Sequence, residues 1–170
     1  NKTACALTSG KTLSDCQSML RSIYINDDRF YAAFKEYSVA TSRTSKKAIY
    51  LLRSIENHLS PDNKIDETIT IEHVLPRHPC DKWQEAYGRL DYNHAIDRLG
   101  NLTLATASTN TALSTHLFQE KRQLLAQSPY KLSQKIAKYT TWDHDTLTKH
   151  QAWLAKQAKS VWNLPVFAIT

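Results

Sequence analysis

The periodicity of apolar residues divides this chain of 170 residues into three zones. In the first zone, residues 12–59, apolar side chains recur every three or four positions, as at Leu52, Ile55 and Leu59. This spacing predicts amphipathic helices.

The middle zone, residues 65–113, changes to a period of two. Two runs of alternating apolar and polar residues, "ETITIEHV" (67–74) and "NLTLAT" (101–106), predict two short strands. Polar and short helical patterns occupy the segment between them.

The last zone returns to helical spacing. A first predicted helix breaks at Pro129, and "YKLSQKIAKY" predicts a second. A long final helix is predicted to begin with Asp143 or Asp145 as its N-cap and to stop near Pro165. The fold class expected is therefore α+β, mostly helical, with a small strand pair between helical segments.

The zones also predict the domain organisation. Residues 1–64 are predicted to form an N-terminal helical extension, and residues 65–128 are predicted to form the strand-containing core. Residues 129–170 are predicted to form C-terminal helices that pack on this core. The chain has three glycines and no low-complexity segment, so no flexible linker is expected. We expect one compact domain in total.

Composition and charge narrow the function classes. With 41% hydrophobic and 22% charged residues, the chain is typical of soluble globular proteins. No apolar run is long enough to span a bilayer, and the first ten residues lack a secretory signal pattern. The net charge is +6, and residues 131–170 carry six lysines against two aspartates. This balance favours a polyanionic partner such as nucleic acid, although a solvated helix face explains it equally well.

The cysteines indicate the compartment. Cys5, Cys16 and Cys80 are widely spaced and form no CxxC pair, which argues against a zinc knuckle and a disulfide framework. We expect a reducing compartment, the cytoplasm.

The first predicted strand ends on an acid and a histidine, Glu72 and His73, followed shortly by Pro76. A carboxylate is a suitable ligand for Mg²⁺ or Mn²⁺, and a neutral imidazole can take a proton from water near pH 7. Pro76 restricts the backbone after the pair and would hold a rigid turn. Alone, the pair is a weak signal, because a surface glutamate beside a half-buried histidine is common.

The second predicted strand strengthens the signal. A turn at Gly100 and Asn101 precedes it, and Asn110 follows in what looks like the first turn of a helix. Asn101 could bond the backbone and hold the loop that carries His73. Asn110 could offer its side-chain oxygen to the same metal as Glu72.

Together, "EHVLP" (72–76), "LGNLTL" (99–104) and Asn110 resemble the ββα-metal (His-Me finger) core of HNH endonucleases. The pattern is most similar to the C-terminal nuclease domain of GmrSD-type, modification-dependent restriction enzymes and related phage-defence nucleases. It also resembles the HNH domain of RNA-guided CRISPR nucleases. The resemblance covers residues 40–163, because the flanking helices are similar as well.

The resemblance implies a role for each matching residue. His73 would be the general base that activates water, and Asn101 would orient its loop. Glu72 and Asn110 would be ligands of one divalent metal ion, Mg²⁺ or Mn²⁺. Many HNH proteins have Asp at the position of Glu72, so this chain departs from the pattern by one methylene group. The reaction implied is hydrolysis of phosphodiester bonds in double-stranded DNA.

The resemblance also implies a biological setting. The domain would be the effector of a restriction or anti-phage defence protein in the cytoplasm of a bacterium or archaeon. Relatives carry an N-terminal NTP-hydrolysing domain that senses modified DNA. The chain has no GxxxxGK[ST] loop, so that partner domain is expected before residue 1.

Six basic residues are candidates for contacts to the DNA backbone: Arg77, Lys121, Arg122, Lys131, Lys135 and Lys138. Arg77 follows the motif directly, and a guanidinium group binds phosphate well. The last three lysines are spaced to share one helical face. For the five other than Arg77, a solvated helix residue is the alternative. His94 and His116 are weaker candidates for a third metal ligand, and His78 is better explained as a loop histidine.

Two other function classes compete with a nuclease. One is a catalytically inactive DNA-binding or oligomerisation module with an HNH-like fold, against which the presence of His73, Asn101 and Asn110 argues. The other is an unrelated helical interaction domain in which the acid–histidine pair arises by chance. That class predicts no spatial proximity between Glu72 and Asn110.

Overall fold

A computed structural model of the chain describes residues 12–21, 24–39, 45–63, 65, 68–87 and 92–163. Within these residues the chain forms nine α-helices and two β-strands. The helices are α1 (Leu13–Arg21), α2 (Asp27–Lys35), α3 (Ser45–Leu59), α4 (Asp81–Tyr87), α5 (Tyr92–Ile96), α6 (Ala107–Leu113), α7 (Phe118–Ala126), α8 (Lys131–Ile136) and α9 (His144–Trp162). The strands are β1 (Thr70–His73) and β2 (Leu102–Ala105), and a 3-10 turn, Leu99–Asn101, leads directly into β2.

The two strands form one antiparallel pair. Thr70 lies opposite Ala105 and His73 lies opposite Leu102, so the end of β1 meets the start of β2. The predicted α+β, mostly helical fold is confirmed, with both strands where the period of two placed them.

Side-chain caps fix the starts of several helices, among them α2 and α9. The side-chain oxygen of Asn26 accepts a hydrogen bond from the N–H of Arg29 at 2.9 Å before α2. Of the two cap candidates for the last helix, Asp143 is the one used: its carboxylate accepts from the N–H of Thr146 at 2.8 Å. The helix ends at Trp162, and the predicted stop at Pro165 lies outside the described residues.

Two apolar clusters lie on either side of the point where β1 ends. Leu102 and Leu104 of β2 belong to a cluster with α2, α3 and α9. Val74 and Leu75, directly after β1, belong to a second cluster with α4 to α9 and are fully buried. Because the chain passes from one cluster to the other after His73, that turn is held between two packed cores.

A distant glutamate caps α8. Glu56 of α3 is fully buried, and its carboxylate accepts hydrogen bonds from the backbone N–H groups of Lys131 at 2.7 Å and Leu132 at 2.9 Å. Tyr130, which precedes the helix, provides no side-chain cap. Glu56 therefore satisfies backbone donors that would otherwise be buried without partners. Burial raises the pKa of this carboxyl, and the two backbone bonds oppose the shift.

Buried Gln151 ties α9 to the turn before β2. Its side-chain oxygen accepts from the N–H of Gly100, and its amide donates to the carbonyl groups of Phe34 at 2.8 Å and Tyr37 at 3.0 Å. A Cβ atom on Gly100 would lie 2.6 Å from that oxygen and 2.9 Å from the Cβ of Gln151. Position 100 therefore requires glycine, because Gln151 of α9 lies too close to leave room for a Cβ atom.

Among the described cysteines, Cys16 is buried, Cys80 is exposed, and neither forms a disulfide. Cys5 lies outside the described residues. None of the helices in the described ranges has the length and hydropathy needed to cross a membrane.

Candidate active site

A cavity of about 240 Å³ opens at the end of β1. It is lined by Ile71, Glu72, His73, Pro76, Arg77, His78, Asn110, Ser114 and Thr115. Residues from β1, the following turn and α6 therefore meet at one place. This arrangement brings Glu72, His73 and Asn110 together, as the order of motifs predicts.

His73 is half-buried at the end of β1. Its Nε2 atom accepts a hydrogen bond from Nε of Arg77 at 3.2 Å, so in the neutral ring the proton is on Nδ1. Burial, together with the positive charges of Arg77 and Lys121, lowers the pKa of His73 to about 4. The imidazole is therefore neutral near pH 7 and has a lone pair that can accept a proton.

Glu72 is almost fully buried and forms an ion pair with Lys121 of α7. The Nζ atom of Lys121 lies 2.6 Å from Oε1 of Glu72 and donates a second hydrogen bond to the carbonyl oxygen of His73 at 2.8 Å. Burial raises the pKa of the Glu72 carboxyl and lowers that of the Lys121 ammonium, whereas attraction between the two charges opposes both shifts.

The position of Lys121 corrects one prediction. Its side chain is fully buried and engaged with Glu72 and His73, which is inconsistent with a direct contact to DNA phosphate. The sequence could not separate the two placements, because a lysine on an amphipathic helix is usually at the surface.

Asn101 clamps the turn that follows His73. It is fully buried, and its side-chain oxygen accepts from the N–H of Leu75 at 2.8 Å and from Nε1 of Trp142 at 3.1 Å. Its amide donates to the carbonyl oxygens of Leu75 at 2.9 Å and Ile96 at 3.0 Å. These bonds are of the kind expected for Asn101 from the sequence, although Trp142 gave no sequence signal as a partner.

Asn110 lies on α6 and its amide fixes that helix to β1. The amide nitrogen donates to Oγ1 of Thr70 and to the carbonyl oxygen of Ile71, each at 2.9 Å. No described residue donates a hydrogen bond to the side-chain oxygen of Asn110. This oxygen is therefore available as an acceptor or ligand next to the cavity.

The cavity offers few ligands to a metal ion. The described residues contain no group of three or more His, Cys, Asp or Glu side chains that could hold one. Among the described lining residues, Glu72 carries the only carboxylate. A carboxylate and an amide oxygen, completed by water and phosphate oxygens, fit the way Mg²⁺ is usually held in nucleotide-processing sites.

The remaining basic candidates occupy three places. Nε of Arg122 donates to the carbonyl oxygen of Ala137 at 2.9 Å, so this residue supports the turn after α8. Lys131, Lys135 and Lys138 line a second cavity of about 380 Å³. Arg77 stands at the first cavity, with its side chain 44% exposed and 3.8 Å from the carboxylate of Asp97.

Four further residues bear on the lining of the first cavity. His78 lines the cavity, whereas His94 and His116 do not belong to its lining. Ser114, which the sequence did not single out, follows α6 with a φ angle of 39° and also lines the cavity. A positive φ is uncommon for a residue other than glycine, and no sequence pattern indicates it here.

Residues 24–157 match the family described as GmrSD restriction endonucleases, C-terminal domain. The chain belongs to this family. It is thus a nuclease domain of the restriction type, and its substrate class is DNA. No curated protein matches the chain.

Proposed function

We propose that this GmrSD-type domain is an HNH endonuclease, which hydrolyses phosphodiester bonds of double-stranded DNA with one Mg²⁺ or Mn²⁺ ion. The observation that carries the proposal is the meeting of Glu72, His73 and Asn110 at one cavity on a strand–strand–helix unit. An interaction domain with a chance acid–histidine pair gives no reason for these three side chains to meet.

In this proposal His73 is the general base. The low pKa keeps its imidazole neutral near pH 7, and because Arg77 is one cause of the low value, movement of Arg77 to a phosphate would raise this pKa and make the imidazole a stronger base for a nearby water molecule. Because Arg77 occupies Nε2 of His73, a phosphate that attracts the guanidinium would free this lone pair. Arg77 would then bind the DNA backbone and at the same time expose the base.

Asn101 acts as a positioning residue. Its hydrogen bonds in the described part of the chain do not go to cavity-lining residues, but they fix the N–H and C=O of Leu75, two residues after His73. A base must lie within hydrogen-bond distance of the water that it deprotonates, so a fixed turn contributes directly to rate.

Glu72 and Asn110 are the residues that would hold the metal ion. When bound, such an ion stabilises negative charge on the phosphate and on the leaving oxygen. The free side-chain oxygen of Asn110 and the carboxylate of Glu72 line the same cavity, which supports this assignment.

Outside the cavity, the face formed by Lys131, Lys135 and Lys138 is our candidate for additional backbone contacts. These contacts carry little sequence information, which fits a nuclease whose target is chosen elsewhere. The family description as a C-terminal domain supports a further proposal: the domain is the effector of a defence protein whose NTP-hydrolysing sensor lies in another part of the same protein.

The test is cleavage of supercoiled plasmid with Mg²⁺ or Mn²⁺, with and without EDTA. We expect metal-dependent nicking or linearisation that is lost in His73→Ala and retained in His58→Ala, which removes an exposed histidine of α3. Equal cleavage by the wild type and His73→Ala would exclude His73 as the base. DNA binding without cleavage under every metal condition would favour the inactive DNA-binding module instead.

A further inference from the structure

The buried ion pair between Glu72 and Lys121 has a consequence for metal binding at the proposed site. Glu72 supplies the only carboxylate among the described lining residues, and the ammonium of Lys121 lies 2.6 Å from one of its oxygens. Both side chains are shielded from solvent, with 0% exposure for Lys121 and 5% for Glu72. Solvent therefore screens this interaction only weakly.

The charges around the cavity do not favour a divalent cation in the absence of DNA. Glu72 and Lys121 form a buried ion pair, and the guanidinium of Arg77, 3.8 Å from the carboxylate of Asp97, adds positive charge at the edge of the cavity. A cation next to Glu72 would share its carboxylate with an ammonium group. The phosphates of DNA are the negative charges that would change this balance.

Lys121 is held in place by a second contact. Its Nζ atom also donates to the carbonyl oxygen of His73, so the ammonium stays at the end of β1 even when its bond to Glu72 weakens. The same group thus touches the backbone of the proposed base and the side chain of the proposed metal ligand.

We propose that Lys121 couples metal binding to DNA binding. Its ammonium neutralises the single carboxylate of the cavity, so that Mg²⁺ or Mn²⁺ binds tightly only when DNA phosphates are present. This inference rests on the proposed metal site. By linkage, metal strengthens DNA binding as much as DNA strengthens metal binding. The free domain is thereby kept from holding a charged, reactive metal centre.

The test measures binding of Mn²⁺ through the paramagnetic resonance signal of the free ion, so it does not depend on activity. The titrations use protein carrying His73→Ala, which keeps a DNA duplex intact. We expect the duplex to raise the Mn²⁺ affinity by roughly tenfold or more, because phosphates add negative charge beside the ion.

Substitutions at Lys121 separate a charge effect from a purely structural one. Lys121→Met should raise the Mn²⁺ affinity of the DNA-free protein by roughly tenfold or more and reduce the further gain from DNA. Lys121→Arg, which keeps the charge, should behave like Lys121. Lys156→Met, which removes an exposed lysine, is the matched control and should change neither affinity. A side chain that only supports the fold would lower metal affinity when truncated.

Two results would overturn the inference. One is a folded Lys121→Met protein with unchanged or weaker Mn²⁺ affinity. The other is a DNA-independent Mn²⁺ affinity in protein with Lys121 intact, which decides the question even if Lys121→Met fails to fold. Glu72→Gln separates a failure of the proposed metal site from a failure of the role proposed for Lys121. If Glu72→Gln leaves Mn²⁺ binding in the presence of DNA unchanged, the proposed metal site is wrong. If Glu72→Gln weakens binding while Lys121→Met has no effect, only the role of Lys121 fails.

Discussion

Replacement of Asn101 by alanine is expected to cause a large loss of stability. The side chain makes four hydrogen bonds. Two of them are accepted by its oxygen, from the N–H of Leu75 and from Nε1 of Trp142, and both of these donors are buried away from water. A buried donor without a partner costs about 1–3 kcal/mol, so the two together cost about 2–6 kcal/mol. The unpaired carbonyl oxygens and the space left by the amide add to this.

A loss of about 4 kcal/mol is a large part of the 5–15 kcal/mol that is typical of a whole domain. For a chain of this size it corresponds to a decrease in Tm of about 10 °C. Urea unfolding followed by circular dichroism measures it, with Asn93→Ala on the exposed side of α5 as the matched control. Since exposed substitutions change stability by at most about 0.5 kcal/mol, a loss of that size for Asn101→Ala would refute the clamp.

The same variant tests the positioning role. The assay uses a temperature at which most of the Asn101→Ala protein is still folded. We expect its DNA cleavage rate, as a fraction of the wild-type rate, to be well below the fraction of the protein that is folded, because the turn after His73 is no longer fixed. Cleavage that simply tracks the folded fraction would mean that Asn101 contributes only to stability.

Three other predictions address contacts that support the site. Glu56→Ala should lower the free energy of unfolding by about 2–3 kcal/mol, because the first N–H groups of α8 lose their acceptor. Glu85→Ala, which removes a surface carboxylate, is the control and should leave the free energy of unfolding unchanged. Equal urea midpoints for the two variants would disprove this role of Glu56. Gly100→Ala should lower the free energy of unfolding by about 1–3 kcal/mol, because a Cβ atom would displace Gln151. An unchanged Tm would show that Gln151 can move aside and that glycine is not required. His150→Phe should reduce the loss of stability in acid. Burial lowers the pKa of His150 to about 3 in the folded protein, so the unfolded chain binds the extra proton and stability falls as pH falls from 6.5 towards 3. This residue alone accounts for a loss of about 2 kcal/mol between pH 7 and pH 5, and an unchanged pH slope in the variant would refute the assignment.

The features predicted correctly from the sequence are local ones. Alternation in the two short runs gave both strands, because successive side chains on a strand point to opposite faces. The alternation did not reveal that all four residues of β2 are buried. The spacing of Asn101 and Asn110 around β2 placed one in the turn before the strand and the other in the helix after it. Each of these features is encoded within about ten residues of sequence.

The features that were missed are contacts between distant segments. Lys121 lies 49 positions from its partner Glu72, and Glu56 lies 75 positions from the first N–H that it caps. In the sequence each looks like an ordinary charged residue on a helix, and charged residues are seldom buried. Their burial follows from the packing of helices around the strand pair, which periodicity within one helix does not reveal.

These distant contacts also limit how far the strand-containing zone can be separated from its neighbours. Trp142, Ser133 and Gln151 all follow residue 128, yet they bond Asn101, the strand residue Thr103 and Gly100. In a fragment that ends at residue 128, these polar groups at the start of β2 and in the turn before it would lose their partners and the apolar cover that lies beyond them. The geometry of the proposed site is therefore a property of the strand pair together with the C-terminal helices. The short motif at the end of β1 is positioned correctly only when α8 and α9 hold the second strand beside it.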